Sequence, residues 1–319
     1  MVLKWIKTFA AVAAASICMA AHAFPDKIVH IIVPFPPGGA TDVVARSIGQ
    51  RLGVLWKQQV IVENRSGAGG NIGADVVAKS EPDGHTLLLA SPAEVAINQF
   101  LYKSMSYDPE KDLVPVTKAA SAPLVLVVHP SVPAKTLPEL IAWLKSRKEG
   151  TPYASSGTGG PQHLAGESFR VLTGTNLIHV PYKGGAPAIT DLLGGQVLMF
   201  FSGLPPALPH IKADKLRAIA ITTAQPSPLI PGVPTVDSVV QGFDFENWQG
   251  VFAPRGTPEA IVSQIARDIA SVADSALAEQ LSKQGAAPAP TTPAEFAAFV
   301  QRERKKYGEL VKASGAKVD

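Results

Sequence analysis

The stretch PFPPGGATD, residues 34–42, lies between the apolar run IVHIIV and the segment VVARSIGQRLGVLW. The apolar run is typical of a buried strand. The segment after it is predicted to form a helix, because its apolar residues recur at helical spacing: Val44, Ile48, Leu52 and Leu55. Prolines hold such a loop rigid, and glycines let its backbone approach another group closely. We therefore expect a strand–loop–helix unit that presents backbone N–H groups to an anion at the helix N-terminus.

The same pattern returns twice in the middle of the chain, in TPYASSGTGGPQHLAGESFRVL (151–172) and IHVPYKGGAPAITDLLGGQVLMFF (178–201). One glycine-rich loop is usually only a tight turn. Three of them favour a shared anion site, because helix N-termini gather where the strands of an open α/β sheet end. None matches a nucleotide fingerprint: GAGGNIG has Ile72 where the last glycine is required, and no G-K-[S/T] occurs.

Further strand and helix signals alternate along the chain. QVIVEN (59–64), TLLLAS (86–91) and the run Leu124 to Val128 have the apolar character of buried strands, so we predict an α/β fold with a mainly parallel sheet. Two helix starts have the spacing of a capping box, Thr136 to Glu139 and Thr292 to Glu295. The helix after Thr257-Pro258 is predicted to bury a stripe of Ile261, Ile265, Ile269 and Val272.

Residues 1–23 have the features of a signal peptide. Lys4 and Lys7 precede an alanine-rich apolar run, and the run ends in AHA, an A-x-A cleavage site. The run is shorter than the roughly 20 residues that a membrane span needs. We therefore expect cleavage near Ala23 and an exported, soluble protein. Cys18 is the only cysteine; bulky Ile17 disfavours a lipid anchor there, and the mature chain would have no thiol.

Composition limits the remaining function classes. The 319 residues suit two domains or one large one, and 46% hydrophobic with 17% charged residues fits a compact chain. Without the two leader lysines, 29 − 2 = 27 basic residues face 26 acidic ones, so nucleic acid is not an expected partner. No G-x-S-x-G or H-E-x-x-H motif occurs, and His85, His163 and His179 lack metal-ligand spacing. We expect no cofactor, no metal and no catalysis.

For four residues, the sequence leaves both a functional and a structural role open. Asp42 fits a helix-dipole or hinge role better than a catalytic one. His163 could donate to a ligand or hold a structural hydrogen bond, and Lys183 could pair with an anion or stay solvated. Trp248 could line a cleft, although core packing is favoured.

At PDKIVHIIVPFPPGGATDVVARSIGQRL (25–52) and VIVENRSGAGGNIGADVVAKSEPDGHTLLLAS (60–91) the chain closely resembles the Bug-type receptors. These are the extracytoplasmic solute-binding proteins of tripartite tricarboxylate transporters. The likeness covers essentially the whole mature chain. It implies a type II periplasmic binding fold, in which two α/β domains, 24–122 plus 247–319 and 123–246, close on a small organic acid. Two crossing strands near Ala122 and Asn247 would join them.

The resemblance also implies that backbone amides of the three loops hold a ligand carboxylate. The site residues that it implies are Phe35, Gly38, Gly39, Thr41, Asp42, Ser91, Ala93, Ser156, Thr158, Gly159, His163, Lys183, Gly184, Gly185, Ala186 and Ser202. Leu198 and Ser202 replace acidic positions of relatives, and Glu94 stands where relatives have a small or polar residue. With Glu94 expected to face solvent, the ligand is predicted to lack an ammonium group and to be an aliphatic dicarboxylate or an aromatic carboxylate.

By this resemblance, the protein is expected to be a monomeric periplasmic receptor that delivers an organic carboxylate to the permease subunits of a tripartite tricarboxylate transporter. A second hypothesis has the loaded receptor signal to a sensor kinase ectodomain. A third is an exported hydrolase of a small acid, which the absence of a recognisable nucleophile–base pair disfavours.

Overall fold

The structure is a computed structural model that describes residues 24–223, 225–283 and 285–314. The predicted signal peptide, residues 1–23 with Cys18, lies outside the described residues. The strands are β1 (Val29–Val33), β2 (Val60–Asn64), β3 (Thr86–Ala90), β4 (Leu113–Val128), β5 (Thr151–Ser155), β6 (Leu177–Pro181), β7 (Met199–Gly203), β8 (Arg217–Ile221), β9 (Glu246–Pro254) and β10 (Ala287–Pro288).

Helices cover the strands and connect most of them. They are α1 (Ala40–Trp56), α2 (Asn71–Ala78), α3 (Leu137–Ser146), α4 (Pro161–Thr173), α5 (Gly185–Leu193), α6 (Leu204–Lys212), α7 (Glu259–Val272), α8 (Ser275–Lys283) and α9 (Pro293–Ser314). A π-helical turn, Ala93–Ile97, follows β3 directly.

The strands form one continuous sheet in the order β2-β1-β3-β9-β4-β7-β5-β6, with β8 and β10 also paired to β4. The pairs β1–β2, β1–β3, β5–β6 and β5–β7 are parallel, whereas β9 pairs antiparallel with β3 and β4, and β4 antiparallel with β7, β8 and β10. The α/β class is confirmed, but the prediction of a mainly parallel sheet is wrong. The centre is antiparallel because β4 and β9 run past each other in opposite directions.

Strand β4 is sixteen residues long and belongs to both halves of the sheet. It pairs with β9 as far as Pro123 opposite Glu246, and with β7 from Leu124 opposite Gly203 onward. The two residues that the sequence analysis placed at the crossings, Ala122 and Asn247, are direct partners in this pairing. The division into domains at these points stays a prediction.

Most of the predicted helix signals are confirmed. Thr136 and Glu139 form a reciprocal capping box at the start of α3, and Thr292 and Glu295 exchange the same pair of hydrogen bonds at the start of α9. Helix α1 buries Val44, Ile48 and Leu52, while Leu55 is helical as predicted but 46% exposed, because it lies in the last turn. Helix α7 buries Ile265 and Ile269 of the predicted stripe, whereas Ile261 and Val272 are only partly buried.

Trp248 on β9 is a core residue, as favoured from the sequence. It is fully buried, and its indole Nε1 donates to Oε2 of Glu303 on α9 at 2.9 Å. Its ring packs edge-on against Phe296 and Phe299 of the same helix. These contacts attach helix α9 to strand β9.

Candidate functional site

Three glycine-rich loops join strands to helices, as predicted: β1 to α1, β5 to α4 and β6 to α5. The first and third loops touch across the sheet. A Cβ on Gly184 would lie 3.0 Å from Cδ of Pro36, and a Cβ on Gly38 would lie 3.7 Å from Cβ of Ala186. Gly38 and Gly184 have φ angles of +85° and +117°, a region that strains residues with a side chain. Glycine therefore permits both the turn and the close approach.

The second loop packs against the first half of the molecule. A Cβ on Gly69 would lie 3.2 Å from the carbonyl oxygen of Thr158, and a Cβ on Gly159 would lie 2.9 Å from Oδ1 of Asn98. Loops from both halves of the sheet thus converge on one place.

A cavity of about 30 Å³ lies where the loops meet. It is lined by Phe35, Gly39, Ala40, Thr41, Ser91, Ser156, Gln162, Gly185, Gly203, Pro206 and Asn247. All of these lining residues are uncharged. The volume suits a water molecule or two and is an order of magnitude below that of a typical ligand pocket. An organic acid could enter only if the loops moved apart.

A larger groove of about 410 Å³ opens beside the cavity and shares Phe35 and Ser156 with it. The other groove residues are Pro34, Pro36, residues 66–70, Tyr102, Gly157, Thr158, Pro181, Tyr182 and Lys183. Its walls are therefore mostly glycine, proline and aromatic rings, with the hydroxyl groups of Ser66, Ser156 and Thr158. The exposed Lys183 is the only charged lining residue among those described.

Three of the helices that begin at the cavity follow the predicted glycine-rich loops, and all three have glycine N-caps. Gly39, Gly160 and Gly184 occupy the N-cap positions of α1, α4 and α5, and in the described chain none of the three helices has a side-chain cap. The N–H groups of a first helical turn have no partner within the helix, and the helix dipole makes them attractive to an anion. Three such termini around one uncharged cavity suit a carboxylate.

Asp42 shapes the first loop from within. Its carboxylate accepts from the backbone N–H of Gly38 at 3.0 Å, from Nδ2 of Asn64 at 2.9 Å and from Nε of Arg46 at 3.1 Å. Burial alone would raise the pKa of Asp42, but the hydrogen bonds from Arg46, Gly38 and Asn64 outweigh it and hold that pKa below its usual value. These contacts favour the positioning role over a catalytic one.

Glu94 is fully buried, so the expectation that it faces solvent is wrong. It accepts from the backbone N–H of Ser91 at 2.6 Å and from the Ser91 hydroxyl at 2.9 Å. Burial raises the pKa of Glu94 to about 8. The π-helical turn after β3 folds this side chain inward, behind the cavity wall that Ser91 forms.

His163 holds the second loop. Its Nδ1 accepts from the backbone N–H of Gly159 at 3.1 Å, and its ring stacks on His179 with centroids 3.9 Å apart. Burial lowers the pKa of His163 to about 4, and burial together with His163 lowers that of His179 to about 3. Both rings are therefore neutral at pH 7. The structural alternative fits His163 better than donation to a ligand from Nδ1.

A serine–histidine pair does exist, which the sequence analysis did not find. Ser155 Oγ lies 2.6 Å from Nε2 of His179. The serine is fully buried, however, and its hydroxyl also contacts the carbonyl of Gly157. The serine lines neither the cavity nor the groove.

The predicted site residues fall into three groups. Those in the cavity wall are Phe35, Gly39, Thr41, Ser91, Ser156 and Gly185, and those in the groove wall are Phe35, Ser156, Thr158 and Lys183. Those outside both walls are Gly38, Asp42, Ala93, Gly159, His163, Gly184, Ala186 and Ser202. Ser202 is fully buried and its hydroxyl donates to the carbonyl of Gly203 at 2.9 Å. A role in binding stays a prediction for all of them.

Five cavity residues were not predicted: Ala40, Gln162, Gly203, Pro206 and Asn247. Ala40 and Gln162 belong to the first turns of α1 and α4, so the helix-start argument could have found them. Asn247 had no local signal, because it lies within β9 and reaches the cavity only through strand pairing. Its buried Oδ1 has no hydrogen-bond partner among the described residues, and so offers an acceptor to a ligand or a water.

Two other kinds of site have no candidate among the described residues. They contain no cluster of three or more His, Cys, Asp or Glu side chains suited to a metal ion. They also contain no helix with the length and apolar character of a membrane span.

Helix N-termini that meet around an uncharged cavity are typical of a binding site for a small anionic ligand. Residues 43–316 match the family described as the tripartite tricarboxylate transporter family receptor (TctC). The chain belongs to this family, whose members are periplasmic binding proteins. The resemblance to Bug-type receptors is thereby confirmed, and with it the fold class.

Three similar proteins illustrate the relationship. Protein BugT of Bordetella pertussis is 39% identical over 319 residues, covering 99% of this chain and 98% of BugT. Rpa4515 of R. palustris, solved with adipate, has a TM-score of 0.90 at 35% identity and covers 92% of this chain and 100% of its own. MatC of Rhodopseudomonas palustris, solved with bound malate, has a TM-score of 0.85 at 31% identity, covering 90% and 100%.

Proposed function

We propose that this protein captures a small organic carboxylate between the two halves of its sheet and delivers it to the permease subunits of a tripartite tricarboxylate transporter. The observation that carries the proposal is the set of three helix N-termini without side-chain caps around one uncharged cavity. Family membership and the relatives solved with adipate and malate support the same ligand class.

One ligand carboxylate would occupy the cavity and accept from first-turn amides, such as those of Thr41, Gln162 and Gly185. Hydrogen bonds to a charged group typically contribute about 1.5–3 kcal/mol each, so a few amides suffice without a salt bridge. The rest of the ligand would lie in the adjoining groove, against Phe35 and Tyr182. The walls of the groove suit an aliphatic chain or an aromatic ring, which agrees with the prediction of a dicarboxylate or aromatic acid.

The cellular setting follows from the family and the leader. The protein would be exported by a signal peptide cleaved near Ala23 and act in the periplasm as a monomer, with domains 24–122 plus 247–319 and 123–246 closing on the ligand. We propose no catalysis, cofactor or metal. Signalling to a sensor kinase is the second candidate role; deleting the neighbouring permease genes and scoring uptake and gene induction separates it from transport.

Calorimetry of the purified protein against adipate, succinate, malate, benzoate, aspartate and glutamate tests the ligand class. We expect at least one acid without an ammonium group to bind, and mass spectrometry of native protein to find such an acid co-purified. Absence of binding to every acid would contradict the carboxylate function. Tight binding of aspartate or glutamate that is lost in Glu94→Gln would contradict the ammonium-free class. Turnover of any bound acid would support the hypothesis of an exported hydrolase instead.

A further inference from the structure

The buried Glu94 does not line the cavity itself. Ser91 lies between the Glu94 carboxyl group and the position proposed for the ligand. Both of its carboxyl oxygens accept from Ser91, Oε1 from the backbone N–H and Oε2 from the hydroxyl. Ser91 itself lines the cavity. A potentially charged acid and the proposed anion site are therefore separated by a single serine side chain.

No cation of the described residues forms an ion pair with Glu94. The Tyr107 hydroxyl donates to the backbone carbonyl of Glu94 at 2.6 Å and not to the Glu94 carboxyl group. Asp75 on α2, which also acts on Tyr107, pairs with Lys79 at 2.7 Å. The tyrosine and the aspartate therefore supply no positive charge.

Helix α9 packs on the other side of the π-helical turn and brings Arg304 close. The guanidinium of Arg304 donates to the carbonyls of Val95 and Pro109 at 2.9 Å each. Its remaining charge partner is Glu110, at 3.5 Å. On the same helix Glu303 pairs with Lys306 at 2.9 Å. An ionised Glu94 would thus be a buried charge without a counter-ion, which is unfavourable.

The hydrogen bond between Glu94 and Ser91 can run in either direction. When Glu94 is ionised, the Ser91 hydroxyl hydrogen points to Oε2, while Ser91 Oγ accepts from the N–H of Ala93 at 3.3 Å. When Glu94 is protonated, its own O–H can donate to Ser91 Oγ. The Ser91 hydroxyl hydrogen is then free to donate into the cavity.

We propose that the protein binds its carboxylate ligand together with a proton on Glu94, and that Ser91 donates to the ligand only when Glu94 is protonated. This inference rests on the proposed function. Because burial raises the pKa of Glu94 to about 8, the residue is mostly protonated at neutral pH and ionises above that value. An ionised Glu94 would also repel an anion held in an uncharged cavity.

Calorimetric titration from pH 6.5 to pH 9 tests the proposal, with the acid of the panel above that binds most tightly as the probe. We expect wild-type affinity to hold up to about pH 7.5 and to be about tenfold weaker at pH 9, as one linked proton with a pKa of about 8 requires. Repeating the pH 9 titration in two buffers of different ionisation enthalpy should show uptake of nearly one proton per ligand.

Three variants sharpen the test. Glu94→Gln should bind with a flat pH profile, because the amide keeps a donor toward Ser91 and cannot ionise. Ser91→Ala should bind the ligand more weakly than wild type at pH 6.5. The difference in affinity between the two proteins should be smaller at pH 9. Glu303→Gln removes another buried acid, bonded to Trp248 rather than to the cavity wall, and should keep the wild-type profile.

A flat wild-type profile without proton uptake would overturn the inference and leave the proposed function standing. A Glu94→Gln profile that still falls with pH would also overturn it. If no acid of the panel binds at any pH, the proposed function fails and the inference fails with it.

Discussion

Two kinds of helix start can be compared in this molecule, one at the surface and one at the cavity. At the surface, α3 and α9 start with a threonine and a glutamate that satisfy the backbone amides of the first turn. At the cavity, α1, α4 and α5 start at glycine, and the described residues supply no side-chain cap. The same unpaired N–H groups exist at every helix start.

This difference shows which groups can bind an anion in a site without charged walls: the backbone N–H groups of helices that have no side-chain cap. Helices α3 and α9 use their own side chains to satisfy the first turn, which stabilises the fold by about 1 kcal/mol per cap. A cavity helix leaves those amides to a ligand. The glycines serve this purpose because they add no competing oxygen and let the loops approach one another.

Locking the first and third loops together should have the largest effect. The Cβ atoms of residues 38 and 186 would lie 3.7 Å apart, within the range for a disulfide. In Gly38→Cys with Ala186→Cys, oxidation should lower the rate of ligand association at least about 100-fold, because access to the cavity requires the loops to separate. Stopped-flow binding before and after reduction measures this. Equal rates in both forms would show that the loops need not part.

Adding a side-chain cap to a cavity helix should have the second-largest effect on ligand binding. Gly39 has the φ of −77° and ψ of 169° of an N-cap residue, and a Cβ there would meet only the carbonyl of Pro36, at 3.8 Å. Gly39→Asp should weaken carboxylate binding on the order of 100-fold, because its carboxylate takes the amides and repels the ligand. Its thermal midpoint should not fall.

Gly39→Asn is the matched control for charge, since it caps without a negative group. We expect a smaller loss of affinity in this variant, measured by the same calorimetry. If Gly39→Asp bound as tightly as wild type, the amides of α1 would not contact the ligand.

Removing a surface cap should have the converse effect. Thr136→Ala breaks the capping box of α3 and should lower the free energy of unfolding by about 1 kcal/mol without changing ligand affinity. Urea unfolding and calorimetry on the same preparation provide the two readouts. A change in affinity larger than the change in stability would contradict the division between surface and cavity helices.

The smallest effect is expected at Lys183, the charged residue of the groove. Its side chain is exposed, and exposed ion pairs contribute about 0.2–1 kcal/mol, so Lys183→Ala should weaken binding less than about fivefold. Loss of binding in Lys183→Ala, together with wild-type binding in Gly39→Asp, would replace the amide site with a salt bridge.

Much of the local structure could be predicted from short-range patterns. The apolar runs, the capping boxes and the three strand–loop–helix units depend on residues a few positions apart, which physical rules relate directly. Helical spacing placed Leu55 in α1 but did not show that its side chain is exposed, because periodicity does not show where the sheet that covers a helix ends. The antiparallel centre was also missed, since strand direction depends on partners such as β4 and β9 that are far apart in the chain.

The sequence by itself determined the family, the α/β class and the loops that carry the candidate site, because these follow from local chemistry and from long matching motifs. Only the tertiary structure decided that Glu94 is buried and that Asn247 reaches the cavity. The π-helical turn that contains Glu94 packs against α9, whose Arg304 donates to the neighbouring Val95 carbonyl across 209 positions of the chain. Asn247 arrives through strand pairing. Burial of a polar side chain is set by such distant contacts, and no local pattern in the sequence encodes them.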